Sequence, residues 1–184
     1  KNESQSKDII QELQNAAYIV VNVKKQTKRN NAPPPFTTSL LQQQASTRLQ
    51  FSAKKTMLIA QQLYEGIDVG AEGAVGLITY MRTDSFHISE QALASCRRLI
   101  VDVYGENYLP GKPNVHASNK KGTQSAHEAI RPTIGEYTPE SIKNHLTKDQ
   151  YKLYELIWNR FVASQMNPAL YAVTDVEIAS GQYT

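Results

Sequence analysis

The sequence predicts a mainly α-helical protein with flanking β-strands, in which a helical domain is inserted between strands of a β-rich neighbour. Apolar residues recur at helical spacing in several stretches between residues 37 and 166, whereas the stretches after Tyr18 and after Pro168 carry strand patterning. The run NNAPPPF separates the first strand from the helices. Its three consecutive prolines exclude helix interior and ladder donation alike. The expected division is therefore 1–36 in the β-rich domain, 37–166 in the helical domain, and 167–184 as a return strand.

Each element has its own signal. Ser6 can cap a helix over residues 7 to 17, with Ile9, Ile10, Leu13 and Ala17 on one face, and YIVVNVKKQ then reads as a strand. After the prolines, Thr38 or Ser39 offers an N-cap to TTSLLQQQASTRLQF. Ser52 and Gly66 bracket SAKKTMLIAQQLYEG as a second helix. The loop IDVGAEG leads into VGLITY, which reads as a strand. Ser89 caps a helix running to Gly105, and Glu106 to Lys121 is too polar and broken to be regular. Thr138 and Pro139 start a short helix, and Thr147 with Gln150 forms a capping box for a longer one carrying Tyr151, Tyr154, Trp158, Phe161 and Val162. Recurring at helical intervals, these aromatic residues read as core. Leu170, Ala172, Thr174, Val176 and Ile178 alternate along the last strand.

Composition narrows the class. The 184 residues are 40% hydrophobic and 20% charged, ordinary globular usage, and the net charge of +3 permits a polyanionic partner without requiring one. No run approaches the ~18 to 20 apolar residues of a membrane helix. The one cysteine, Cys96, sits at helical spacing from Leu93 and Ile100 and reads as core, and no zinc pattern occurs. With no signal peptide, a reducing, cytoplasmic setting is expected. The opening KNESQSK without Met and the stop at GQYT suggest a segment of something larger.

The chemistry concentrates in two stretches. In GLITYMRTDS, residues two apart on a strand share a face, so Tyr80 and Arg82 project together while Thr79 and Met81 turn away. A phenol is a poor nucleophile while protonated. A neighbouring guanidinium lowers the cost of phenolate and can fork onto a phosphate, so the pair suits attack on a phosphodiester. The plainer reading makes Tyr80 a packing residue and Arg82 with Asp84 a surface ion pair. In SAHEAIRPT, a helical turn would place His127 and Arg131 on one face as an anion site. Alternatively, Glu128 and Arg131, three apart, pair with each other. Arg82, His127 and Arg131 are thus the candidates for contact with a phosphate backbone.

The strings PPPFTTSLLQQQASTRLQFSAKKTMLIAQQLYEG, VGLITYMRTDS and SAHEAIRPT, in this order, closely resemble the type IA DNA topoisomerases, in particular their bacterial members, over most of residues 33 to 133. The resemblance implies that Tyr80 is the nucleophile that cuts one DNA strand and becomes joined to its 5′ phosphate, relaxing supercoils. It implies that Arg82 positions the scissile phosphate and that His127 contacts the phosphate region. It also implies a ring-shaped protein: a helical tyrosine domain, a β-rich arch holding it, and a toprim domain whose acidic residues bind Mg2+. The partners implied are a single-stranded segment of negatively supercoiled DNA and the remaining domains of the same polypeptide. The location implied is cytoplasmic and nucleoid-associated, with no membrane.

The chain departs from that family in one respect. Asp68, Glu72, Asp84 and Asp102 lack the toprim Asp-x-Asp spacing, so the Mg2+ ligands are expected outside this chain, which by itself should be inactive. Attack by tyrosine exchanges one phosphodiester for another of similar free energy, so ATP is not needed, and no GxxxxGK[ST] loop occurs. The doublets Lys54 and Lys55, Arg97 and Arg98, and Lys120 and Lys121 read as solvated surface that could line a DNA path. The role of Arg48 does not follow from its spacing. The alternative is a non-catalytic helical domain that binds nucleic acid or protein.

Overall fold

The computed structural model describes residues 2–70, 73–116, 127–133 and 137–184. Within them lie five α-helices and two small antiparallel sheets, a mixed α/β architecture. The chain divides into two compact units, one of residues 1–30 and 168–184, the other of residues 31–167.

The first unit contains helix α1 (Glu3–Asn15) and strand β1 (Tyr18–Asn30), paired with the last strand of the chain. Helix α1 starts earlier than Ser6 predicts, because Asn2 and Gln5 form a reciprocal capping box. Strand β1 has one register shift, between Val20 and Asn22, and runs on to Asn30 as an antiparallel ladder. Its apolar residues Ile19, Val20, Val21 and Val23 are all at least half exposed.

The second unit carries the core. Helix α2 (Thr38–Leu49) is capped by the Thr37 hydroxyl and ends at Gln50 in the left-handed conformation; helix α3 (Ala53–Glu65) is capped by Ser52 and stops at Gly66. Strands β2 (Ile67–Asp68) and β3 (Ala74–Val75) form a small hairpin before the GLITYMRTDS stretch. Helix α4 (Glu90–Tyr104) starts at Ser89, and helix α5 (Lys148–Ser164) starts at the predicted Thr147–Gln150 capping box. Tyr154, Leu153, Ile157, Trp158, Phe161 and Val162 of α5 pack with Phe36, Leu41, Leu63, Leu77, Ile78, Met81, Ile100 and Ile130 in one buried cluster. Strand β4 (Ala169–Ser180), in the first unit, completes the described elements.

Three local expectations are corrected. VGLITY is not a continuous strand: beyond β3 its backbone bonds scatter, from Leu77 N–H to Leu63, from Thr79 N–H to Arg131, and through one bridge of Ile78 with Pro132. Proline has no N–H to extend a ladder there. The HEAIRP stretch is not helical either. Its Ala129, Ile130 and Arg131 N–H groups donate to His87 O, Phe36 O and Thr79 Oγ1, and Pro132 disfavours the helical conformation at Arg131. The Thr138–Pro139 start leads to turns and a 3-10 segment, Lys143–His145, rather than an α-helix. Ser125, Ala126, Lys120, Lys121 and Glu72 lie outside the described residues.

Candidate active site

Two extended segments, 77–85 and 127–133, lie side by side and are tied mostly through one threonine. Thr79 Oγ1 donates to Ala129 O at 2.7 Å and accepts the Arg131 N–H at 3.0 Å, while Thr79 N–H reaches Arg131 O at 2.9 Å. On the other flank, Thr38 Oγ1 donates to Met81 O at 2.7 Å and accepts Thr83 N–H at 2.9 Å. Backbone on both sides of Tyr80 is therefore pinned by side-chain hydroxyls. This arrangement suits a residue whose position must be set more tightly than a loop allows.

Between these pins the burial alternates. Met81, Thr83 and Ser85 are buried, whereas Tyr80, Arg82 and Asp84 are exposed, so the phenol and the guanidinium do share the open side. Tyr80 is 39% exposed and its ring contacts two others. Tyr64, in the last turn of α3, meets it edge to face at 5.4 Å between centroids, and the His127 ring is tilted 46° at 6.0 Å. Thus His127 comes to Tyr80 from a strand-like segment, not from a helix face. Tyr64 is the residue that the sequence reading missed. Its position in LYEG resembles any helix terminus, and only the return of the chain brings it to Tyr80.

Arg131 is not beside His127 as a second open cation. It is 9% exposed, and its guanidinium binds Glu128 Oε2 at 2.5 Å, Pro132 O at 2.8 Å and Ser89 Oγ at 3.4 Å. Glu128 Oε1 also accepts the Ser89 N–H at 2.6 Å. Burial pushes the Glu128 carboxyl up, but hydrogen bonds from Ser89 and the charge of Arg131 outweigh it and hold the group below its usual value. The pair alternative for Glu128 and Arg131 is the one the geometry adopts. It clasps the start of α4 to the segment that bears His127.

Other sequence candidates fall away from this site. Cys96 is 3% exposed, and burial, only partly offset by Arg97, pushes its thiol up to about 12. Lys55 pairs with Asp149 at 2.6 Å and lies over the Phe51 ring; Arg97 donates to Pro110 O. Tyr154 is fully buried and its hydroxyl donates to Tyr137 O. Among the described residues no group of three or more His, Cys, Asp and Glu side chains is placed to hold a metal ion. No step below runs through the Mg2+ that the resemblance implies. No described helix is long and apolar enough to cross a membrane.

Comparison with known proteins adds the wider frame. A family model described as DNA topoisomerase matches residues 1–184. The DNA topoisomerase 1 of Rickettsia prowazekii (strain Madrid E) is 50% identical over 179 residues, covering 97% of this chain and 23% of its own length. That of Rickettsia felis (strain ATCC VR-1525 / URRWXCal2) is 49% identical with the same coverage. Among solved structures, full-length topoisomerase I from Thermotoga maritima matches at 42% identity and a TM-score of 0.79, over 100% of this chain and 28% of that one. The chain spans about a quarter of the length of these relatives.

Proposed function

This chain belongs to the DNA topoisomerase family, whose model matches it from end to end, and from that premise we propose that it carries the strand-cutting tyrosine of a type IA enzyme. The observation that carries the proposal is the placement of Tyr80: an exposed phenol, pinned through Thr79, flanked by His127 and sharing its open side with Arg82. In the proposed reaction Tyr80 Oη attacks a backbone phosphorus of single-stranded DNA. The new Tyr–O–P bond forms as the bond from phosphorus to the 3′ oxygen breaks; Tyr80 Oη gives up its proton and the leaving 3′ oxygen takes one up, so the strand 3′ of the cut stays on the protein and the strand 5′ of the cut ends in a 3′ hydroxyl.

Arg82 and His127 stabilise the charge on the pentacoordinate phosphorus, the electrostatic contribution that usually dominates such steps. Religation reverses the exchange without a nucleotide. Arg131 takes a positioning role, holding the His127 segment through Glu128 and Ser89 in place of the DNA contact first expected of it. Phosphate contacts carry no base identity, which fits tolerance of many sequences.

The same premise supports the larger assignments. The unit of residues 31–167 is proposed as the tyrosine domain inserted between β1 and β4, and these strands as part of a β-rich arch. Magnesium is proposed to bind acidic residues elsewhere in the longer polypeptide, and the location is proposed as cytoplasmic, at the nucleoid.

Covalent trapping tests the proposal. A full-length protein incubated with 3′-labelled single-stranded oligonucleotide and magnesium should retain label after denaturation, and Tyr80→Phe should abolish this while preserving non-covalent binding. Label retained at the wild-type level by Tyr80→Phe overturns the assignment and favours the non-catalytic binding domain.

A further inference from the structure

A second cationic feature lies on the side of the Phe36 ring. The Arg160 guanidinium of α5 stacks over that ring at 4.6 Å from its centroid. Arg48 lies in the last turn of α2, a helix in contact with α5, and its charge adds to burial in lowering the proton affinity of Arg160. Among the described residues neither arginine has a carboxylate within ion-pair distance. Two neighbouring guanidinium groups without an acid between them repel each other. The α2 macrodipole accounts for a cation at position 48, and the ring accounts for one at 160, but neither accounts for placing them together.

The ring beneath Arg160 belongs to the scaffold of the Tyr80 site. Phe36 O accepts the Ile130 N–H in the segment that bears His127, and two residues further on Thr38 holds the backbone on both sides of Arg82. A guanidinium stacked by its face keeps its edge free to fork onto a phosphate oxygen pair. Building on the proposed DNA cleavage, we infer that Arg48 and Arg160 form a phosphate clamp that grips the backbone of the same single DNA strand away from the scissile bond. They would hold the strand in register for Tyr80 without taking part in the chemistry.

The test uses the full-length protein, with Arg48→Gln, Arg160→Gln and the double variant, and Arg160→Lys as the version that keeps the charge. Affinity for a fluorescent single-stranded oligonucleotide is read at several salt concentrations, together with adduct yield at saturating DNA and the melting temperature. Each Gln variant should bind about tenfold more weakly at low salt. The dependence of log K on log salt should become shallower by about 0.7 for each lost contact. Arg160→Lys should keep the wild-type slope, and at saturating DNA the Gln variants should regain only part of the wild-type adduct yield, because the strand is no longer held in register. Unchanged affinity and slope would overturn the clamp. So would a drop in melting temperature with an unchanged slope, which would mean that the arginines pair with acidic groups of the remaining polypeptide. Failure of the underlying cleavage reading is separate, because it appears in the wild-type protein as binding without a Tyr80-dependent adduct.

Discussion

Thr79 shows how much of this site hangs on single hydrogen bonds. Thr79→Val keeps the side-chain volume but leaves Ala129 O without its hydroxyl donor and Arg131 N–H without its acceptor. A loss of about 2 kcal/mol is expected in denaturant unfolding. The phosphate contact proposed for Arg82 is absent from the fold's own bonds, so Arg82→Ala should leave stability alone and slow strand cutting roughly 10²-fold or more in single-turnover assays. Glu128 adds a pH dependence. Its carboxyl is held below 4.5 in the folded chain, so its stabilisation is complete above that value and is lost as pH falls through the lower, folded one. The difference in melting temperature between wild type and Glu128→Gln should accordingly be full at neutral pH and shrink as the solution is acidified below 4.5.

At the scale of elements, the approach of α3 to the Tyr80 segment depends on a missing side chain. A Cβ on Gly76 would lie 2.7 Å from Tyr64 O, a backbone atom that cannot swing away, and Leu77 N–H bonds Leu63 O one step further on. Gly76→Ala should therefore cost about 1 to 3 kcal/mol in thermal or denaturant unfolding and reduce cutting, because either the last turn of α3 or the Tyr80 segment must shift. Gly111→Ala is the matched control, since nothing lies within 4 Å of its added carbon. It should stay within about 0.5 kcal/mol of wild type. Tyr64 moves with that same turn, which makes the edge contact to Tyr80 a sensitive reporter of the shift.

At the scale of the molecule, the two units differ in what stabilises them. Residues 31–167 hold the buried cluster, whereas β1 and β4 form a two-stranded ribbon whose Ile19, Val20, Val176 and Ile178 are close to half exposed or more. A two-stranded sheet is marginal without a covered face. In the 184-residue chain on its own, limited proteolysis followed by mass spectrometry should nick the ribbon strands first and spare residues 37–116 and 148–166 of the helical unit. The same isolated chain should form no adduct with single-stranded DNA and magnesium, because it spans about a quarter of the length of its relatives.

What the residues determined by themselves were the elements with local signals and the motifs that name the family. The Ser52, Ser89 and Thr147 caps, the Gly66 stop and the aromatic face of α5 are written in neighbours three or four positions apart, where capping and periodicity act. The alternation that sets Tyr80 and Arg82 on one side was legible for the same reason. Tertiary structure alone decided the conformation of VGLITY and HEAIRP. Their backbone partners are Leu63, Phe36, His87 and each other, so neither stretch contains the groups that settle its shape. It likewise decided that Arg131 faces Glu128 and Ser89 and is buried, and that Tyr64 meets Tyr80. The Arg131–Ser89 and Tyr64–Tyr80 contacts join residues far apart in the chain, and the choice of the local Glu128–Arg131 pair over an open arginine depends on burial that no local pattern encodes.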